Sequence, residues 1–160
     1  MIGAVTVNDG GMLSPGASPG SITFSNTLTL APDSVFAVEL TGNGVNQHDQ
    51  VVAMSTVSVS NSVLSLALGY APVVGDAFTI ISNLGPSAIF GTFIDPQGDV
   101  LTNNAMFVSG GMTFQVNYNG GINGQDVVLT AVIPEPSTCL LVALGALGVF
   151  GMRRRLTLRQ

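Results

Sequence analysis

Two prolines around one acid, Pro134-Glu135-Pro136, divide this chain into parts that obey different physical rules. Behind them runs an uncharged apolar segment from Thr138 to Met152, then Arg153-Arg154-Arg155. All four basic residues, Arg153, Arg154, Arg155 and Arg159, lie beyond that segment, and all nine acids precede it. A helix closing a soluble domain carries charge on its outer face, and this segment has none to carry. As a helix it covers about 22 Å at ~1.5 Å per residue, short of a hydrocarbon core of ~30 Å. Snorkelling arginines and local thinning of the bilayer make up the difference. The segment reads as a membrane helix over 138–152. The positive-inside bias then leaves the basic tail, 153–160, in the cytoplasm and the rest of the chain on the far side.

The prolines fit a cut site between domain and membrane. Both fix φ and lack an N–H, so no strand continues through them, and Pro136 holds Glu135 extended. Ser137 offers an N-cap to the helix that follows. An extended, unpaired segment just outside a bilayer suits a protease, although a plain linker would use the same residues.

Ile-Pro-Glu-Pro-Ser, a hydrophobic span and an arginine cluster, in that order over roughly the last 27 residues, resemble the PEP-CTERM sorting signal of Gram-negative bacteria. The resemblance implies that Pro134, Glu135 and Pro136 are recognised by an exosortase, a membrane protease that cleaves near the motif and passes the protein towards the surface. Arg153, Arg154 and Arg155 would be the cytoplasmic anchor of the precursor in the inner membrane. An exported protein needs a signal peptide, and Met1 to Gly11 has neither a basic n-region nor a long apolar core. The expectation is a C-terminal fragment of a longer protein.

About 133 residues ahead of the motif suffice for one domain with a buried core. Only 8% of the chain is charged, so hydroxyls and amides must supply its solubility. With no basic residue before Arg153, a phosphate backbone finds no electrostatic footprint, which excludes nucleic acid. The single cysteine, Cys139, permits no intrachain disulfide and opens the apolar segment. It reads as a small membrane-helix residue, neither lipidated nor nucleophilic.

Period-two alternation runs through the domain: Val5 and Val7; Ile22, Phe24, Leu28 and Leu30; Phe36, Val38 and Leu40; Leu64, Leu66 and Leu68; Phe114, Val116 and Tyr118. Val127 to Val132 reads as a continuous apolar strand. Gly10-Gly11, Pro15-Gly16, Pro19-Gly20, Asn43-Gly44, Gly75-Asp76, Asn119-Gly120-Gly121 and Asn123-Gly124 punctuate these runs as turns. No window before Pro134 has helical periodicity, so residues 1–132 read as all-β. A sandwich and a parallel β-helix compete. Small uncharged polar residues suited to stacked ladders, and glycine at corners, favour the β-helix.

Leu13-Ser14-Pro15-Gly16-Ala17-Ser18-Pro19-Gly20 resembles the repeat of autotransporter-associated β-strand passengers. So do Val38-Glu39-Leu40 with Gly42, Gly44 and His48-Asp49-Gln50, and Gly75-Asp76-Ala77-Phe78-Thr79-Ile80-Ile81. Gly91-Thr92-Phe93 and Gly120 through Leu129 continue the likeness. It covers nearly all of residues 3–130 and implies a right-handed parallel β-helix, or solenoid. His48 stands where that repeat usually has Tyr, and no outer-membrane barrel follows, so the sorting signal takes the barrel's place.

Chemistry is sparse. His48-Asp49 has the composition of a base and its orienter, but neighbours on a strand face opposite ways, and His48 reads as a turn residue reaching solvent. Asp33, Asp49, Asp76, Asp95, Asp99 and Asp126 are scattered, mostly beside glycine or proline. No serine sits in a nucleophile elbow, and no Lys or Arg precedes Arg153 to stabilise a lyase carbanion. Gly120 to Asp126 is similar to a calcium-binding β-roll turn. It occurs once, whereas calcium takes six to eight oxygens, so Asp126 reads as bonding its own backbone. Gly145, Gly148 and Gly151 form no Gly-x-x-x-Gly pair, which leaves dimerisation through the apolar helix weakly founded.

The expectation is an all-β solenoid over 1–132, then a sorting signal over 133–160 with its motif at 134–137 and one transmembrane helix. No catalytic residue, metal or cofactor is expected. The expected role is an exported, non-enzymatic surface or extracellular-matrix protein. Its expected partners are an exosortase-type protease, the inner membrane and extracellular polysaccharide. The alternative is a carbohydrate-active or calcium-binding β-helix domain of a larger surface protein.

Overall fold

The computed structural model describes residues 1–133, which form fourteen β-strands and no helix. The first nine strands follow one rule. Three are made in sequence, and each then pairs in parallel with the strand three places later. The first layer is β1 (Val5–Val7), β2 (Met12–Leu13) and β3 (Ser21–Phe24). The second is β4 (Leu28–Leu30), β5 (Val35–Leu40) and β6 (Gln50–Ala53), and the third is β7 (Val57–Ser58), β8 (Val63–Leu68) and β9 (Ala77–Asn83). Three parallel runs result: β1-β4-β7, β2-β5-β8 and β3-β6-β9.

One corner shows how unlike sequences reach the same shape. Gly10, Asp33 and Asn61 occupy equivalent places before β2, β5 and β8, and all have positive φ, at 70°, 61° and 54°. Gly10 donates its amide to the Asp33 carbonyl, Asp33 to that of Asn61, and Asn61 to that of Thr92. Glycine, aspartate and asparagine are the residues that tolerate this left-handed conformation. Immediately after, Ser34 and Ser62 are fully buried. Each turns its amide and its hydroxyl onto the carbonyl three residues back, Ala31 for Ser34 and Val59 for Ser62. A buried hydroxyl is tolerated because it has that partner.

The alternating residues meet in one core. Phe36, Val38 and Leu40 of β5 are buried together with Leu28, Leu30, Val57, Val59 and Leu64. Leu66 and Leu68 are only half-buried: they pack against the core but line an open cleft beside Tyr70 and Met112. Phe36 stacks on Phe93 at 5.7 Å between ring centroids, and Phe93 on Tyr118 at 6.3 Å, in the offset geometry that aromatic quadrupoles favour.

After β9 the parallel rule stops. β10 (Phe93–Ile94) still pairs in parallel with β8, but β11 (Val100–Leu101) returns antiparallel upon it. β12 (Met106–Ser109), β13 (Met112–Gly120) and β14 (Asp126–Val132) form an antiparallel meander, and β14 joins β9. Gly110 and Gly111 cause the reversal between β12 and β13. Both have positive φ, 56° and 80°, as the two central residues of a type I′ hairpin require. The expected continuous apolar strand at Val127 to Val132 alternates instead: Val127, Leu129 and Ala131 are buried and their neighbours half-buried.

Candidate functional site

β14 brings the chain to its proline motif. It lies inside the six-stranded sheet, between β13 and β9, rather than at an edge. Pairing holds to its last residue, Val132 opposite Thr113. One residue earlier, Ala131 donates its amide to the Asp76 carbonyl and accepts that of Gly75, both at 2.8 Å. Ile133 then emerges, 66% exposed. The junction is fixed on the domain side by ladder bonds on both edges of β14. Pro134, Glu135, Pro136, Arg153, Arg154 and Arg155 lie outside the described residues, as does the helix expected over 138–152. Among the described residues no helix is long and apolar enough to cross a membrane.

The second feature is a cavity of about 310 Å³ under the loop joining β5 to β6. Its polar lining comes from Ser21, Asn43, Asn46, His48, Gln50 and Thr79, drawn from the loop and from β3, β6 and β9. Gln50 Nε2 donates to the Thr79 carbonyl at 2.9 Å. The loop is closed by Gln47, whose carbonyl accepts the Thr41 amide at 2.8 Å and hydroxyl at 2.9 Å, while its side chain accepts the Gly44 amide.

His48 does not reach out into solvent as its sequence context predicts. It is half-buried, edge-on to Phe78 with ring centroids 5.7 Å apart, and its Nδ1 is buried without a hydrogen-bond partner. The Leu40–His48 bridge folds it back over the core. Burial pushes its pKa below the usual 6.5, outweighing the nearby carbonyls and the Asp49 charge, which act upwards.

Asp49 does not orient that imidazole. Its carboxylate is buried and spent on backbone, Oδ1 accepting the Gly20 amide at 2.7 Å and Oδ2 the Glu39 amide at 2.9 Å. Three further acids also have their carboxylates occupied. Asp76 accepts from the Tyr70 hydroxyl, the Val73 amide and Asn43, so it tethers a residue of the cavity wall. Asp95 accepts the amides of Gln97 and Asp99, closing the turn between β10 and β11. Asp126, expected to bond its own turn, instead accepts the amide of Asn83 on β9 at 2.8 Å. Among the described residues no three of His, Cys, Asp or Glu gather as a metal site.

Residues 132–155 match the PEP-CTERM protein-sorting motif. No curated protein and no solved structure matches the chain. The PEP-CTERM match begins at Val132, the last residue of β14. It takes in Pro134, Glu135 and Pro136 and ends on Arg155. A PEP-CTERM motif marks a membrane-anchored precursor that is processed by an exosortase-type membrane protein and exported to the cell surface.

Proposed function

We propose that the chain is a non-catalytic surface or extracellular-matrix protein whose all-β domain is delivered by exosortase processing. The observation that carries this reading is the coincidence of the PEP-CTERM motif with the end of β14. Pro134, Glu135 and Pro136 are the recognised residues, and cleavage there releases a domain that is complete up to its last ladder bond. Residues 138–152 are a single transmembrane helix, with Arg153, Arg154 and Arg155 holding the cytoplasmic side of the inner membrane.

The domain itself we read as a right-handed parallel β-solenoid of the kind found in autotransporter-associated passengers. Three parallel runs, each pairing a strand with the third one after it, support the solenoid. The antiparallel strands β11 to β14 would then be a cap, which repeat architectures need at their ends. A structural or adhesive role follows from a surface rich in hydroxyls and amides, with extracellular polysaccharide as the partner. The acids that a catalyst or calcium site would use are bonded to backbone amides at Asp49, Asp95 and Asp126, which favours the non-catalytic reading over a carbohydrate-active or calcium-binding one.

Fractionation tests the proposal. Expressed behind an added signal peptide, the protein should leave the inner membrane for the surface or medium only in a host that has an exosortase. Equal release from a host without one would overturn it.

A further inference from the structure

We propose that the cavity beneath the β5–β6 loop binds a single neutral sugar unit. The inference rests on the surface-display reading for the source of the sugar, and on the cavity's own geometry for the rest.

The lining selects the ligand class by what it offers and what it lacks. Ser21, Asn43, Asn46, Gln50 and Thr79 present amides and hydroxyls, which both donate and accept. No Lys, Arg, Asp or Glu lines the cavity. An anion has no countercharge, since the described residues contain neither Lys nor Arg. A cation has no free carboxylate, since Asp49 spends both oxygens on Gly20 and Glu39. A purely apolar ligand would strand the amides unpaired, which is costly for a buried polar group.

A volume of about 310 Å³ lies at the small end of ligand sites, which start at roughly 300 Å³. One pyranose fits that scale better than an oligosaccharide. His48 contributes its ring to the cavity wall, packed edge-on against Phe78. Asp76, by holding Asn43, and Gln47, by holding the loop, preform the wall before any ligand arrives.

The test uses the full chain in a zwitterionic detergent, because a maltoside headgroup would itself compete for the site. His48 is the single histidine, so its imidazole NMR signals report the cavity without ambiguity. The probes are D-glucose, D-galactose, D-mannose and N-acetyl-D-glucosamine, with D-galacturonate as the charged control. At least one neutral sugar should shift the His48 signals saturably, with a Kd on the order of 1 mM. Ala77→Trp fills the cavity from an exposed position on β9 and should weaken binding by at least about tenfold. Ser21→Trp does the same from β3 and serves if the first variant fails to fold.

No saturable shift up to about 100 mM of any neutral sugar, stronger binding of galacturonate, or undiminished binding by a folded filled variant would overturn the site. The C-terminal mass of the same protein, expressed with an exosortase, separates the two readings. A processed protein that binds no sugar loses the site alone. An unprocessed protein that binds sugar loses the display reading alone.

Discussion

Asp49 and Gly20 stand 29 residues apart in the chain, yet the carboxylate Oδ1 accepts the glycine amide at 2.7 Å. The other oxygen accepts the Glu39 amide at 2.9 Å, so one buried side chain ties the first layer of strands to the second. Asp49→Ala leaves two amides without partners and should cost about 3 kcal/mol in urea unfolding. Asp49→Asn should recover little, because the amide NH₂ now faces an N–H. A loss below about 1 kcal/mol in both variants would mean water replaces the clamp.

At the stacked corner, Asn61 has a φ of 54°. Asn61→Gly should leave stability within about 0.5 kcal/mol, whereas Asn61→Val, β-branched in the left-handed region, should lose about 2 kcal/mol. Equal melting temperatures for the two variants would show that the corner relaxes out of its conformation.

Side-chain alternation made the all-β class and much of the core legible in the sequence. Phe36, Val38 and Leu40, and likewise Phe114, Val116 and Tyr118, are buried as their spacing predicts. The corner was hidden because Gly10, Asp33 and Asn61 share a backbone angle and no residue type. The antiparallel return has a local signal, the two-glycine turn Gly110-Gly111 between apolar runs. The cavity was illegible for a different reason. Ser21, His48 and Thr79 become neighbours only through pairing between layers, and no local pattern reports that pairing.

Burial lowers the pKa of His48 from 6.5, which couples stability to mild acid. The unfolded chain takes up the proton first as pH falls through 6.5, so the contribution is complete above that value and is lost as pH drops through the folded pKa. The imidazole should titrate with a midpoint below 6.5 by NMR, and His48→Gln should flatten the acid limb of a pH–melting curve. A midpoint at or above 6.5 would contradict the half-buried placement.

The alkaline limb belongs to the tyrosines. Burial raises Tyr118 to about 12, against a lesser opposing effect of the Phe93 amide it accepts. Burial, then the bond to Asp76, raises Tyr70 to about 12 as well. The unfolded chain loses these protons first, so stability is complete below pH 10 and falls as pH rises towards 12. Phenolate absorbance of the folded protein should show neither of the two tyrosines titrating near the usual value of 10. A transition there in folded protein would contradict either the burial of Tyr118 or the Tyr70 bond to Asp76, and Tyr70→Phe tells the two apart.

The measurement that tests the account most directly is the mass of the mature C-terminus, after expression with an added signal peptide in a host carrying an exosortase. Exosortase processing predicts loss of the residues beyond about Pro136, close to where β14 ends and the PEP-CTERM match begins. Glu135→Ala should abolish that loss while the domain keeps its melting temperature. An intact chain ending at Gln160 in the membrane fraction would contradict the account and leave a plain tail-anchored domain.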